Sequence, residues 1–466
     1  MQLKFLGANR QVTGSRYFLE AGGLRIMIDC GLFQERPFLK RNWQQPPIDP
    51  KHIDCLLLTH AHLDHCGLIP RLVKAGFNSP IYTTEPSVDL AEIIMIDSGR
   101  IQAEDAKYKL KRHKREKRKG PRPVVPLYTA EDAEKAAQLL EGVGYEQPLA
   151  LNDQVSVTFH DAGHILGSSI LELNISEDGL NRRILFSGDI GQWDKPLIGD
   201  PTLMPNADYV VLESTYGDRN HKDCGDIQDQ IADIVNDTYQ RGGSVVIPTF
   251  AVERAQELTY HLGRLVHTNR IPDLPIYLDS PMAVDVTDVF RRSRGYLDEQ
   301  THQLFESGEP PLRYPGLHLV RSVDESKAIN AATGPNIIMA SSGMCTGGRI
   351  KHHLRRCIVR SDSTIVFVGY QSPGTLGRLI LDGRPSVRIH GRPHDVRAKI
   401  AQIHGFSAHG DRDDLLRWLG HLERMPRHVF LTHGEEKAAC KFESMITEQL
   451  GWSASVPHFN DTIVLD

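Results

Sequence analysis

The chain of 466 residues is 40% hydrophobic and 24% charged, with a formal net charge of −5, which is typical of a folded protein long enough for two cores. No apolar stretch approaches the roughly 20 residues of a membrane helix. The first residues enter a strand-like pattern without a signal-peptide core, so we expect a cytoplasmic protein with no membrane partner. Seven cysteines without a Cys-x-x-Cys pair argue against a disulfide framework and against a thiolate metal site.

The densest group of potential metal ligands follows a short apolar run at residues 53–58, which predicts a buried strand. The run leads into Thr59-His60-Ala61-His62-Leu63-Asp64-His65. Imidazole and carboxylate are ligands that suit zinc. These four ligands cannot complete two metal sites, so a two-metal centre needs ligands from other parts of the chain. An earlier strand at residues 24–28 ends on Asp29.

A basic run at residues 107–122 carries ten Lys or Arg and one Glu, a net charge of +9. Phosphate backbones respond to such a local patch rather than to the overall charge. One interpretation is an arm that steers RNA and includes Lys111 and Arg112. The other is a solvated helix face or a basic loop.

Three later strand-like runs also end on potential ligands. Residues 155–159 lead into Asp161-Ala162-Gly163-His164, residues 183–187 into Gly188-Asp189, and residues 428–432 into His433. Each histidine or aspartate alone is more often a cap or a satisfied polar group. Their order and their shared position after a strand make the set a candidate metal centre.

The middle of the chain alternates strands and helices, which predicts a parallel doubly wound sheet with functional loops at its carboxyl ends. Ligand-type motifs resume near residue 390, so we predict a domain at 206–388 inserted between segments 1–205 and 389–466 of another domain. Two glycine-rich segments within the insert are either phosphate-binding turns or tight turns without a ligand. Their candidate RNA-binding residues are Ser341, Gly343, Arg349 and Arg378.

Three further motifs contain Glu213, His409 and His433: Glu213-Ser214-Thr215, Gly405-Phe406-Ser407-Ala408-His409 and Leu431-Thr432-His433-Gly434-Glu435. The ordered ligand set resembles that of metallo-β-lactamase-fold hydrolases. The three motifs resemble those of the β-CASP nucleases, in particular the nuclease subunit of the cleavage and polyadenylation specificity factor and its bacterial and archaeal relatives.

This resemblance implies a metallo-β-lactamase αββα sandwich with an inserted β-CASP domain and two zinc ions per chain. One zinc takes His60, His62 and His164, the other takes Asp64, His65 and His433, and Asp189 bridges them. Asp29 orients a ligand histidine or the loop that carries the cluster. The resemblance leaves a homodimer open.

The implied function is zinc-dependent hydrolysis of phosphodiester bonds in single-stranded RNA, by internal cleavage, 5′-exonuclease cleavage or both, in RNA processing or decay. His409 is the expected donor of a proton to the leaving oxygen, Glu213 holds it protonated, and Asp64 acts beside the metals.

Three alternatives compete with this interpretation. A DNA nuclease of the same superfamily typically has valine at the position of His433. A small-molecule metallohydrolase needs neither the insert nor the Glu213–His409 pair. A non-catalytic RNA-binding scaffold is expected to have lost some ligands.

Overall fold

The structure is a computed structural model that describes residues 1–117, 123–177, 179–222 and 225–466. The chain forms two compact units. The first unit comprises Met1–Asp194, Asp200–Asn220 and His409–Asp466, and the second comprises Lys195–Gly199 and His221–Ala408.

Two seven-stranded sheets form the centre of the first unit. In order of adjacency, the first sheet contains β22 (Thr462–Val464), β1 (Gln2–Gly7), β2 (Arg16–Ala21), β3 (Leu24–Ile28), β4 (Cys55–Leu57), β5 (Ile81–Thr84) and β6 (Leu140–Val143). The second sheet contains β21 (Ala454–Ser455), β20 (His428–Thr432), β11 (Tyr209–Glu213), β10 (Leu180–Phe186), β9 (Ser169–Glu177), β8 (Val155–Asp161) and β7 (Leu149–Ala150).

Helices cover the outer faces of these sheets. They are α1 (Leu63–Cys66), α2 (Ile69–Lys74), α3 (Glu85–Arg115), α4 (Ala130–Ala137), α12 (Arg412–Leu419) and α13 (Glu436–Met445), with a π-helical turn at Ile446–Leu450 and 3₁₀ turns at Leu39–Trp43 and Pro50–His52. Alternate strand residues such as Phe5 and Leu173 share one buried cluster between the sheets. Trp418 and Phe442 pack on the other face of the second sheet. The predicted αββα sandwich is therefore confirmed.

A six-stranded sheet forms the centre of the second unit, and every strand pairing in it is parallel. In order of adjacency it contains β14 (Leu317–Leu319), β13 (Ile276–Leu278), β15 (Ile337–Ala340), β12 (Val245–Pro248), β16 (Thr364–Phe367) and β19 (Lys399–Gln402). A separate hairpin is formed by β17 (Ser386–Ile389) and β18 (Arg392–Asp395).

Seven helices of the second unit pack around the six-stranded sheet or near it. They are α5 (Ile227–Gln240), α6 (Arg254–His267), α7 (Pro281–Arg292), α8 (Glu299–Glu306), α9 (Val323–Ala331), α10 (Ile350–Cys357) and α11 (Leu376–Leu381). Val245 and Ile247 of β12 join a buried cluster with α5, α6 and α7. Val246 joins a second cluster with α9, α10 and α11. Both faces of the strand are buried, so the predicted doubly wound parallel sheet is confirmed.

The boundaries of the compact units differ from the predicted limits of 206 and 388. Tyr209–Glu213 pairs with β10 and β20 inside the first unit. Lys399–Gln402 pairs with β16 and belongs to the second unit. The neighbours of each strand depend on distant residues, so the boundaries could not be read from composition.

Among the described residues, no helix combines the length and the apolar character that a membrane crossing requires.

Candidate metal centre

The candidate ligands of the first unit follow strands that end at one edge of each sheet. Strands β8, β10, β11 and β20 run in the same direction, because β8 and β10 are both antiparallel to β9 while β10, β11 and β20 pair in parallel. Their carboxyl ends lead to His164, Asp189, Glu213 and His433. In the other sheet, parallel strands β3 and β4 lead to Asp29 and His60. The topology therefore collects residues that are far apart in sequence.

The first donor group consists of His60, His62, His164 and Asp189. His62 Nδ1 lies 3.2 Å from His60 Nε2 and 3.1 Å from His164 Nε2. Asp189 Oδ2 lies 3.5 Å from both His60 Nε2 and His164 Nε2. Four donor atoms thus surround one point, as the ligands of a single metal ion do.

The second donor group consists of Asp64, His65 and His433. His433 Nε2 lies 3.4 Å from Asp64 Oδ2, and His433 Nδ1 lies 3.5 Å from Asp189 Oδ1. His65 Nε2 lies 3.4 Å from the same Asp189 oxygen. Asp189 therefore turns one oxygen toward each donor group, as a bridging carboxylate does.

The donor set fits zinc. Nitrogen ligands about 2.0–2.1 Å from a tetrahedral zinc are about 3.3–3.4 Å apart, which matches the spacing here. Asp189 Oδ1 is buried and has no hydrogen-bond partner within the described part of the chain, so it is short of a positive partner. Burial lowers the pKa of His62 to about 4, with neighbouring imidazoles adding to the effect, and burial also holds the pKa of His60 well below its ordinary value. Both rings are then neutral, which is the state that binds a metal.

Asp29 and Thr59 lie within hydrogen-bond distance of two histidines of the donor groups. Asp29 Oδ2 lies 2.8 Å from His65 Nδ1, and Asp29 Oδ1 accepts a hydrogen bond from the Thr59 backbone N–H at 2.8 Å. The Thr59 hydroxyl lies 3.1 Å from His60 Nδ1 and 3.3 Å from His65 Nδ1. Two histidines of the candidate donor groups are thereby fixed through one aspartate and one threonine.

Thr59 and Thr215 are functional candidates that the sequence analysis missed. The Thr215 hydroxyl lies 3.0 Å from His433 Nδ1 and also donates to the His433 carbonyl oxygen at 2.9 Å. Each threonine stands next to a motif residue, and that adjacency was the available signal. A hydroxyl next to a ligand motif is too common to indicate a role without coordinates.

Glu213 and His409 form a pair next to the first donor group. His409 Nδ1 lies 3.2 Å from Glu213 Oε1 and 3.8 Å from Asp189 Oδ2. Glu213 Oε1 also accepts a hydrogen bond from the Ile190 backbone N–H at 2.7 Å. The His409 ring centroid lies 4.5 Å from that of His164. Residues that are 196 positions apart in sequence therefore meet at the candidate metal centre.

Electrostatics favours the protonated form of His409. Burial by itself lowers the pKa of His409, but the charge of Glu213 and its hydrogen bond, together with Asp189 and Asp64, raise this pKa to about 9. The same residues permit a different arrangement, because Asp189, Glu213, His409 and His433 also place donor atoms within 4.8 Å of one another. Geometry alone therefore fits two roles for His409, a proton donor and a metal ligand.

The predicted RNA-binding residues lie outside the donor cluster. Ser341 and Gly343 follow β15, Arg349 precedes α10, and Arg378 lies in α11 of the second unit. Two nitrogens of Arg349 are engaged, Nη1 at 2.7 Å from Asp279 Oδ1 and Nη2 at 2.7 Å from the Arg321 carbonyl oxygen. Arg378 pairs with Asp382 at 2.8 Å. An RNA contact by these residues stays a prediction.

Lys111 and Arg112 are exposed near the end of α3 in the first unit. Residues 118–122 of the basic run are outside the described residues. Residues 107–115 of the run belong to α3, so this part of it is a helix. Its steering role stays a prediction.

Comparison with known proteins gives three domain matches along the chain. Residues 18–189 match the Metallo-beta-lactamase superfamily domain, residues 255–380 the Beta-Casp domain, and residues 393–457 the Zn-dependent metallo-hydrolase RNA specificity domain. The chain belongs to the β-CASP family of metallo-β-lactamase-fold ribonucleases.

Among its relatives, Ribonuclease TTHA0252 of Thermus thermophilus is 39% identical over 463 residues, which cover 99% of this chain and 100% of that protein. Transcription termination factor FttA is 30% identical in Methanocaldococcus jannaschii, covering 99% of this chain and 71% of that protein. FttA of Methanosarcina mazei is 32% identical, covering 96% and 68%. A crystal structure of a protein of unknown function from Enterococcus faecalis V583 shares the fold, with a TM-score of 0.58, 12% identity and coverage of 100% and 99%.

Proposed function

We propose that the chain hydrolyses phosphodiester bonds of single-stranded RNA with two zinc ions, by internal cleavage, 5′-exonuclease cleavage or both, in RNA processing or decay. The observation that carries the proposal is the pair of donor groups that share Asp189, next to the Glu213–His409 pair. The family membership supports a metal-dependent ribonuclease. The number of zinc ions and the cleavage mode are our proposals.

His60, His62 and His164 would hold one zinc ion, Asp64, His65 and His433 would hold the other, and Asp189 would contact both. Bound zinc supplies Lewis acidity, which makes water a nucleophile near neutral pH and offsets negative charge on the phosphate. The chain holds the donors in place before substrate arrives, since Asp29, Thr59 and Thr215 fix the rings of three histidines. Such preorganisation places charge where the transition state needs it.

His409 would protonate the oxygen that leaves the phosphorus. Glu213 fixes Nδ1 of the ring, so the proton that we assign to catalysis is on Nε2, on the opposite side of the imidazole. A pKa near 9 keeps the ring charged at neutral pH, so the proton is available. A positioned general acid contributes roughly 10²- to 10⁴-fold to a rate. Glu213 then acts as a positioning residue for His409.

The test compares His409→Ala with the wild-type protein for zinc content and for cleavage of a single-stranded RNA. We expect two zinc ions per chain in both proteins and a loss of at least about 100-fold in the cleavage rate of the variant. Loss of one zinc together with activity would instead identify His409 as a metal ligand. A variant that cleaves at the wild-type rate would contradict the assignment altogether.

The products define the cleavage mode. An internally labelled RNA and a circular RNA of the same sequence distinguish internal cuts, which open the circle, from removal of nucleotides at a 5′ end, which leaves it intact. Matched RNA and DNA strands test the preference for RNA that we propose from His433. Equal cleavage of both strands would favour the DNA-nuclease alternative.

Oligomeric state and location are further proposals. We propose a homodimer, on the resemblance to β-CASP enzymes, and separately a cytoplasmic location. Light scattering of the purified chain measures the first, since a dimer has twice the mass of the 52.3 kDa chain. Fractionation of cells that produce the tagged chain measures the second.

A further inference from the structure

The connections at the carboxyl edge of the second unit's parallel sheet leave toward opposite faces, which is where a doubly wound sheet is expected to have a crevice. The loop after β12 leads to α6, on the face that also carries α5 and α7. The loops after its two neighbours, β15 and β16, lead to α10 and α11 on the other face. Ligands of doubly wound sheets bind at such a point, because the diverging loops leave an opening between them.

Two exposed aromatic side chains belong to the loops on either side of this expected crevice. Phe250 follows β12 and is 40% exposed, and Tyr370 follows β16 and is 61% exposed. The Phe250 ring packs against glycine: a Cβ atom at Gly343 would lie 2.7 Å from Phe250 Cε2, and one at Gly369 would lie 3.6 Å from the same atom. The Phe250 ring can therefore occupy its observed position only because residue 343 has no side chain.

The loops around the rings are tied together, and the mostly buried Arg254, which faces Glu257 at 3.9 Å, lies beside them. The Gln371 side-chain amide is buried and donates to the Gly343 carbonyl oxygen at 3.0 Å, which links the loops after β15 and β16. Arg254 donates to the Val368 carbonyl oxygen, and its Nη1 would lie 3.2 Å from a Cβ atom at Gly369. Rigid aromatic rings that remain exposed are suited to unpaired nucleotides, because bases stack on them.

We propose that Phe250 and Tyr370 form a base-stacking site for single-stranded RNA in the second unit. The inference rests on the proposed ribonuclease function, which supplies the occupant. Exposed aromatic rings are stabilised in water when a flat apolar partner covers them, and every base has such a face. Stacking does not depend on sequence, so the site holds the strand without selecting a base. Gly343 serves the site by leaving room for the Phe250 ring.

The test measures RNA affinity of Phe250→Ala and Tyr370→Ala in a His409→Ala background, with RNA integrity checked on a gel. We expect each variant to bind a short single-stranded RNA about 5- to 100-fold more weakly. The same RNA with abasic nucleotides should bind the background protein and both variants equally. The slope of log affinity against log salt should not change, since no phosphate contact is lost.

Two control variants make the result specific. Tyr370→Phe keeps the ring and should bind RNA as the background protein does. Tyr239→Ala removes another exposed aromatic ring, 44% exposed at the end of α5, and should also leave RNA affinity unchanged. Urea unfolding of each variant checks that the second unit is folded.

The outcomes separate this inference from the proposed function. If the wild-type chain cleaves RNA and the alanine variants bind normal RNA as tightly as the background protein, only the stacking site is refuted. Equal loss of affinity for normal and abasic RNA would also refute it, because stacking requires the base. If the wild-type chain neither binds nor cleaves RNA, the proposed function fails first.

Discussion

Replacement of Asp29 by asparagine tests how the metal centre is held in place. Asp29 is almost fully buried, and its backbone has a φ of 55°, a conformation that asparagine also adopts readily. The change therefore preserves shape and backbone while it removes one acceptor. The two carboxylate oxygens accept from the Thr59 N–H and from His65 Nδ1, both at 2.8 Å, whereas asparagine has one acceptor oxygen and an NH₂ group.

The expected magnitude follows from that count of acceptors. The Thr59 hydroxyl donates to the same carboxylate, so at least one of three donors must face the NH₂ group in a buried position. A buried unsatisfied donor costs about 1–3 kcal/mol of folding stability. His65 also loses the partner that directs its Nε2 toward the metal, and loss of such a partner lowers metal affinity about 10- to 100-fold. We therefore expect weaker zinc binding and a metal-free protein that unfolds at lower urea concentration.

The assay is zinc competition against a chromophoric chelator, with urea unfolding of the metal-free proteins beside it. Asp194→Asn is the matched control, because Asp194 is exposed and also has a positive φ, of 58°. The control should match the wild-type protein in both measurements. Wild-type zinc affinity in Asp29→Asn would refute the claim that Asp29 positions His65.

Three further changes test other parts of the first and second units. Gly191→Ala should reduce zinc content, because its Cβ would collide with the Gly163 backbone next to His164. Gly295→Ala is the control, since open space surrounds its Cβ, and it should keep full zinc content. Full zinc content in Gly191→Ala would contradict this prediction. Tyr314→Phe should not lower the free energy of unfolding, because the buried Tyr314 hydroxyl has no partner in the described residues. Tyr17→Phe should lower the free energy of unfolding by about 1 kcal/mol, because it removes a 2.8 Å hydrogen bond to Thr432. Equal effects of the two changes would refute this distinction. Burial lowers the pKa of His160, but the hydrogen bonds and charges of two glutamates raise this pKa above its ordinary value. The charged ring therefore stabilises the fold fully below about pH 6.5, and this stabilisation is lost as pH rises through the raised pKa. The stability difference between wild type and His160→Gln should therefore shrink as pH rises above about 6.5, and a constant difference would contradict this linkage.

More of the candidate metal centre than of the proposed RNA-binding surface could be predicted from the sequence. His60, His62, Asp64 and His65 are adjacent in the chain, so local spacing alone indicated a metal site. The observed strands Ile276–Leu278 and Thr364–Phe367 fit the predicted alternation of strands and helices in the middle of the chain, because strands buried on both faces are mostly apolar in sequence. A local sequence pattern is enough to predict a feature when the feature depends only on residues that are close in the chain.

Features that depend on distant contacts could not be predicted in this way. Thr59 acts through Asp29 and two histidine rings, and only the fold brings them together. Phe250 and Tyr370 are ordinary aromatic residues in sequence, and their exposure at one edge of the sheet depends on the order of strands in it. The predicted domain limits differ from the limits of the compact units for the same reason, since strand partners decide the latter.

The split of the active residues between the two ends of the insert has a consequence during protein synthesis. A nascent chain that has reached residue 408 already contains all four donors of the first group, His60, His62, His164 and Asp189. It still lacks His409 and His433, which belong to the segment after the insert. Translation therefore completes the second donor group and the proposed proton donor only after the insert, so a polypeptide that has not passed the insert lacks part of the catalytic set that we propose for cutting RNA.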